Sequence, residues 1–159
     1  MQAAVSWPRA QRTTELEWCL SGLTRPTTHA IMSPGMPTES ANSDAEEVMM
    51  ATAAAYRAVL GERLLAAYAL GSLAHGGFSP LVSDIDLGLV LVDPHRPDDQ
   101  TLIEVVARAQ KASGKLLSER LSVFWGTPGT LRGDRDGGRF PALDRLDLLE
   151  HGRLLIGTD

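Results

Sequence analysis

Two short apolar runs separated by a polar, glycine-rich stretch dominate the pattern of the chain. The first is Ala66-Ala67-Tyr68-Ala69-Leu70; the second runs from Ile85 to Val92, with Ile85, Leu87, Leu89 and Leu91 alternating with Asp86, Gly88 and Val90. A period of two predicts strands, with alternate side chains on opposite faces of a sheet. Arg120 to Trp125 (RLSVFW) predicts a third strand, and Arg153-Leu154-Leu155-Ile156-Gly157 a short fourth one. Helical spacing fills the intervals. Ser43-Asp44-Ala45-Glu46 reads as a capping box, followed by Val48, Thr52, Ala55, Tyr56, Val59 and Leu60, with Gly61 as the stop. Asp98 or Asp99 can cap a second helix with the stripe Leu102, Val105, Val106 and Ala109, ending at Gly114. Pro141 opens a last helix bearing Leu143, Leu146 and Leu149, and Gly152 closes it. Asp93-Pro94-His95-Arg96-Pro97 is a turn, and 126–139 a glycine-rich loop. Strands separated by helical stripes predict an α/β (α+β) domain, a small mixed sheet packed by helices.

Composition changes this picture mainly at the N-terminus. Residues 1–42 are poor in aliphatic side chains and dense in Thr, Ser and Pro, so they cannot bury enough apolar surface to offset chain entropy. We expect a disordered tail there and a domain over 43–159. A short helix over Thr14 to Leu20 is the one element the tail's pattern allows, and Met32, Met36 and Met49 leave open a later start of the biological chain. A hydrophobic content of 43% and charged content of 22% suit an ordinary soluble globule. The net charge of -5 lacks the positive footprint that gripping a phosphate backbone needs, so nucleic acid is not the expected partner. A single cysteine, Cys19, excludes an internal disulfide and any multi-cysteine metal site. No apolar run approaches the roughly 20 residues that span a bilayer, and no membrane partner is expected. The first residues lack the apolar core of a secretory signal, which predicts a cytoplasmic protein.

The candidate chemistry lies between the first two strands. Asp84 and Asp86 share a strand face, roughly 7 Å apart at Cα, and two like charges so placed favour a bound cation. Oxygen-only ligation with room for water and phosphate suits Mg²⁺. Gly71 lets backbone approach a phosphate, and Ser72 adds a hydroxyl beside the N–H groups of the turn. Eleven residues separate Ser72 from Asp84. Gly71-Ser72 followed at this distance by Ser83-Asp84-Ile85-Asp86-Leu87 resembles the signature of the polymerase-β-like nucleotidyltransferase superfamily. Its small prokaryotic members, and the streptomycin/spectinomycin adenylyltransferases with a Gly-Gly and a Pro in the loop, are the most similar.

The resemblance is specific over 70–90 and architectural over the rest of the domain. It implies a nucleotidyltransferase fold, a Gly71-Ser72 turn (with Ser83) for the triphosphate of ATP or another nucleoside triphosphate, and Asp84 and Asp86 for Mg²⁺. It also implies a third carboxylate on a later strand, as metal support or as general base. Glu119 is the nearest candidate, one residue before the third strand; the alternative for it is a solvated strand-end side chain, the outcome if Ser122 faces the site. The implied reaction moves a nucleoside monophosphate to a hydroxyl of a small molecule or protein and releases pyrophosphate. The alternative function is an antitoxin-like or degenerate nucleotide-binding module that docks a helical partner protein.

His75, where many members of the resembling family carry Arg or another polar residue, is expected to be a solvated or hydrogen-bonded loop residue rather than a phosphate ligand. Arg132, Arg135 and Arg139 are expected to belong to a solvated loop. Asp134 and Asp136 repeat the Asp-x-Asp spacing without a flanking strand and are read as a decoy. Tyr56 is expected in the core or at its rim.

Overall fold

The computed structural model describes residues 37–133 and 138–158. Residues 1–36, including Thr14 to Leu20 and Cys19, and the loop residues Asp134, Arg135 and Asp136 lie outside the described residues.

Four strands, β1 (Leu64–Leu70), β2 (Ile85–Leu91), β3 (Leu121–Gly126) and β4 (Arg153–Gly157), form one sheet in the order β3-β2-β1-β4. β1 pairs antiparallel with β2 and β4, whereas β2 and β3 are parallel. Among the described residues the α-helices are α1 (Pro37–Leu60), α2 (Gly71–Ala74), α3 (Asp99–Lys111), α4 (Pro128–Arg132) and α5 (Ala142–His151). Parallel neighbours need a crossover, and α3 supplies it between β2 and β3. The mixed α+β architecture is the one the alternation predicts, with each strand within two residues of its expected position.

The sheet has an apolar cluster on each face. Ile85, Leu87, Leu89 and Leu91, with Leu121, Val123 and Trp125 of β3, join α1 and α3 in the larger cluster. The opposite face holds a smaller one of Ala66, Leu70, Val90, Phe140 and Leu148. Alternation along β2 therefore places Asp86 and Gly88 on the smaller face.

α1, α3 and α5 form where their periodicity predicts, whereas α2 and α4 form in stretches read as a turn and a glycine-rich loop. Of the expected α1 stripe Val48, Thr52, Tyr56 and Leu60 are buried, but other positions of the three helices face differently from expectation. α1 begins at Pro37, so residues 37–42 are helical and Ser43 lies inside the helix instead of capping it. Glu46, the expected capping-box acid, instead accepts from Arg153 at 2.6 Å. The buried stripe of α1 includes Met49, Ala53 and Tyr56, while Val59 is exposed. In α3, Ile103 and Val106 face the core and Val105 is exposed. In α5, Leu143, Leu146 and Leu149 are all exposed and only Leu148 is buried.

Asp99 caps no helix end; it is 0% exposed and satisfied on both oxygens. Arg63 donates to Oδ1, and the Arg96 N–H donates to Oδ2 at 2.7 Å. This pair ties the residue before β1 to the first turn of α3. Tyr56 is also buried, with its hydroxyl donating to the Ile103 carbonyl at 2.9 Å, and burial pushes its phenol up. It is core, as expected.

Candidate functional site

β1 ends at Leu70, which is opposite Asp86 in the antiparallel register. The next residue is Gly71, at φ +60°, and a Cβ built there would lie 2.7 Å from Asp86 Oδ2. Glycine thus meets two demands at once, a left-handed backbone and close passage beside a carboxylate. From there the chain makes the single turn of α2, in which the His75 N–H donates to the Gly71 carbonyl at 3.1 Å and the Gly77 N–H to the Ser72 carbonyl at 2.8 Å. Phe78, buried in the larger cluster, anchors the loop that follows.

The approach to Asp84 is held by polar contacts. The Ser83 N–H donates to the Ser79 carbonyl at 2.8 Å, and the Ser79 N–H donates to Ser83 Oγ at 3.0 Å. The Arg120 guanidinium donates to the Leu81 and Ser83 carbonyls, each at 3.2 Å. Asp84 emerges exposed at the head of β2, and Asp86 is half-buried behind it. Ser83 therefore uses its hydroxyl within the loop. Arg120 was legible in the sequence only as the start of a strand.

α5 lies across this turn with a polar face inward. Asp144, Asp147, Leu148 and His151 recur at i, i+3, i+4 and i+7, which puts them on one helical face. Leu148 packs with Leu70, and its Cδ1 lies 3.3 Å from where a Cβ on Gly88 would be, so Gly88 makes room for the helix. Asp147 Oδ2 accepts from the Gly71 N–H at 2.7 Å, and its Oδ1 lies 2.8 Å from His75 Nε2. The rings of His75 and His151 meet edge to face at 4.8 Å. His75 is thus hydrogen-bonded, and its partner comes from a helix that the sequence reading treated as packing.

Asp86 has its carboxyl pushed up to about 6, first by burial and then by the charges of Asp84, Asp144 and Asp147. None of Asp84, Asp86 and Asp144 has an ion-pair partner among the described residues. Among the described residues the recess is anionic. Among the described residues, no group of three or more His, Cys, Asp or Glu side chains could by itself hold a metal ion.

The other predicted residues fall as follows. Glu119 is exposed in the 3-10 turn Ser118–Arg120, while Ser122 pairs in register with Asp86 on the adjacent strand. Arg139 is exposed, and its backbone pairs with Trp125 at the free edge of β3. Arg132 lies in the last turn of α4. A cavity of about 380 Å³ lies between α3 and the edge of β3, lined by Ile103, Ala107, Leu121, Trp125 and Arg139 and not by the aspartates.

Sequence reading missed Asp144 and Asp147. Their signal was present as two carboxylates three apart on a helix, but the leucines of the same segment were the stronger pattern. No helix among the described residues is long and apolar enough to cross a membrane. No protein-family model matches the chain, and no curated protein matches it.

Proposed function

We propose that the protein is a metal-dependent nucleotidyltransferase of the polymerase-β-like type. It would transfer a nucleoside monophosphate, AMP from ATP in the first instance, to a hydroxyl of a small molecule or protein and release pyrophosphate. One observation carries the reading: the Leu70–Asp86 register sets the Gly71-Ser72 turn directly against the Asp-x-Asp strand, with space for glycine alone.

The residues present fit a divalent cation. Asp84 and Asp86 offer neighbouring oxygens with no ion-pair partner among the described residues, and the upward shift of Asp86 is the strain a cation would relieve. Two carboxylates leave further positions to water and phosphate oxygens, the coordination Mg²⁺ favours. When bound, Mg²⁺ supplies neutralisation of charge on the triphosphate. The chain itself does the positioning. Gly71 permits close approach of backbone to phosphate, Ser72 contributes a hydroxyl, and Arg120 holds the loop that delivers Asp84. For the acceptor proton the reading retains Glu119 or another carboxylate as base. The net charge of -5 favours a small-molecule or protein acceptor over nucleic acid, and the reading places the enzyme in the cytoplasm.

A second reading, a module that works by docking a helical partner protein, is favoured by the exposed leucines Leu143, Leu146 and Leu149 on α5. The test is a transfer assay with α-labelled ATP and Mg²⁺, comparing the wild-type chain with D84N/D86N against small hydroxyl acceptors and native lysate. Label transfer or pyrophosphate release that is lost in the double variant is the expected result. Mg²⁺-dependent ATP binding without turnover would favour the docking module, and no ATP binding at all would overturn the site assignment.

A further inference from the structure

The turn assigned above to phosphate already carries an anion. The Gly71 N–H donates to Asp147 Oδ2 at 2.7 Å, and Asp147 Oδ1 lies 2.8 Å from His75 Nε2. One carboxylate thus spans the turn, from its first amide to the side chain that follows its last residue. A carboxylate oxygen and a phosphate oxygen are both strong acceptors for a backbone N–H, so they compete for the same donor. Asp147 also adds negative charge around Asp86, which further opposes an anionic ligand.

We infer that Asp147 is an internal competitor for the phosphate: α5 latches the Gly71-Ser72 turn shut with this side chain, and a triphosphate must displace it. The inference rests on the nucleotide reading of the site and concerns its regulation. The rest of α5 is suited to release. Leu148 is its one buried residue, its leucine face is exposed, and Arg145 contributes a single hydrogen bond to the Thr130 carbonyl at 3.1 Å. Few apolar contacts resist a small outward shift of the helix. Asp144 lies on the same helical face, carries the same charge and makes no bond to the turn, so it serves as an internal control for electrostatics.

The experiment is calorimetric titration of the full chain with ATP and with inorganic tripolyphosphate, each in Mg²⁺, using wild type, D147A, D147N, D144A and D84N/D86N. Folding of each variant is verified by circular dichroism. We expect D147A and D147N to bind both ligands about tenfold or more tightly than wild type, because a charge-assisted bond is no longer displaced. D144A should shift affinity by only a few fold. Equal gains in D147A and D144A would reduce the effect to net charge and overturn the latch. Weaker binding in both Asp147 variants would make Asp147 a prop for the turn and overturn it as well. Wild-type binding that D84N/D86N abolishes, with no gain at Asp147, sinks the latch and leaves the nucleotide site standing. Binding in none of the folded chains removes both.

Discussion

The two faces of the sheet solve opposite problems. Against α1 and α3, aliphatic side chains from three strands fill a continuous core, and the one buried carboxylate, Asp99, is matched on both oxygens by Arg63 and the Arg96 N–H. Across the sheet, the apolar cluster is small, and Asp84, Asp144 and Asp147 all lie close enough to Asp86 to raise its carboxyl. Asp147 is bonded to the Gly71 N–H and His75, but Asp84, Asp86 and Asp144 have no ion-pair partner among the described residues. A buried charge that is paired and hydrogen-bonded can be tolerated by a stable core; an unpaired one is strained until something binds. The difference separates the face that holds the fold together from the face that carries the proposed site.

The comparison can be broken most severely on the core side. Arg63→Met should leave Asp99 buried and short of its partner, costing about 3–5 kcal/mol and lowering the thermal midpoint by on the order of 10 °C. A thermal melt reads this directly, and a change of less than about 1 kcal/mol would mean that the two faces do not differ as described.

A smaller effect of opposite sign is expected on the site face. The Asp86 carboxyl is raised from 3.8 to about 6 in the folded chain, so the folded state holds its proton more tightly than the unfolded state does. Its contribution to stability is fully present below about pH 3.8 and is lost as pH rises through about 6. Asp86→Asn removes that dependence and should stabilise the metal-free chain near neutral pH by on the order of 1 kcal/mol, after discounting for solvent screening. Urea midpoints taken across pH 4 to 8 check this prediction, and a variant less stable than wild type at pH 7 would contradict it. The smallest effect concerns the outward face of α5. Leu146→Gln and Leu149→Gln should each change stability by less than about 0.5 kcal/mol, since both leucines are exposed in the chain alone. A clear loss in a urea melt would show that something covers them.

The order of the four strands and of α1, α3 and α5 was legible in the sequence because period two and period 3.6 are local properties of the chain; the short α2 and α4 were not. The Gly71-Ser72 turn and the Asp84/Asp86 pair were legible for the same reason, since their spacing sets them on adjoining elements. The rotation of each helix was harder to read. Leu143, Leu146 and Leu149 form an apolar stripe on α5, but the sheet beneath offers Gly71, Gly88 and Leu70, and the helix seats Asp147 and Leu148 there. Val59 and Val105 are likewise exposed, while Met49, Ala53 and Ile103 are buried.

What the sequence determined by itself was therefore the four strands and the three longer helices, the alternation that puts Asp86 and Leu87 on opposite faces, and the glycine turn that a left-handed backbone requires. Tertiary structure alone decided that Ser122 sits beside Asp86, that Glu119 remains in an exposed turn, and that Asp147 reaches back over 76 positions to the amide of Gly71. The physical reason is one of range. Propensity and periodicity act over a few bonds, whereas which side of a helix is buried depends on the volume and the donors of a surface assembled from distant segments.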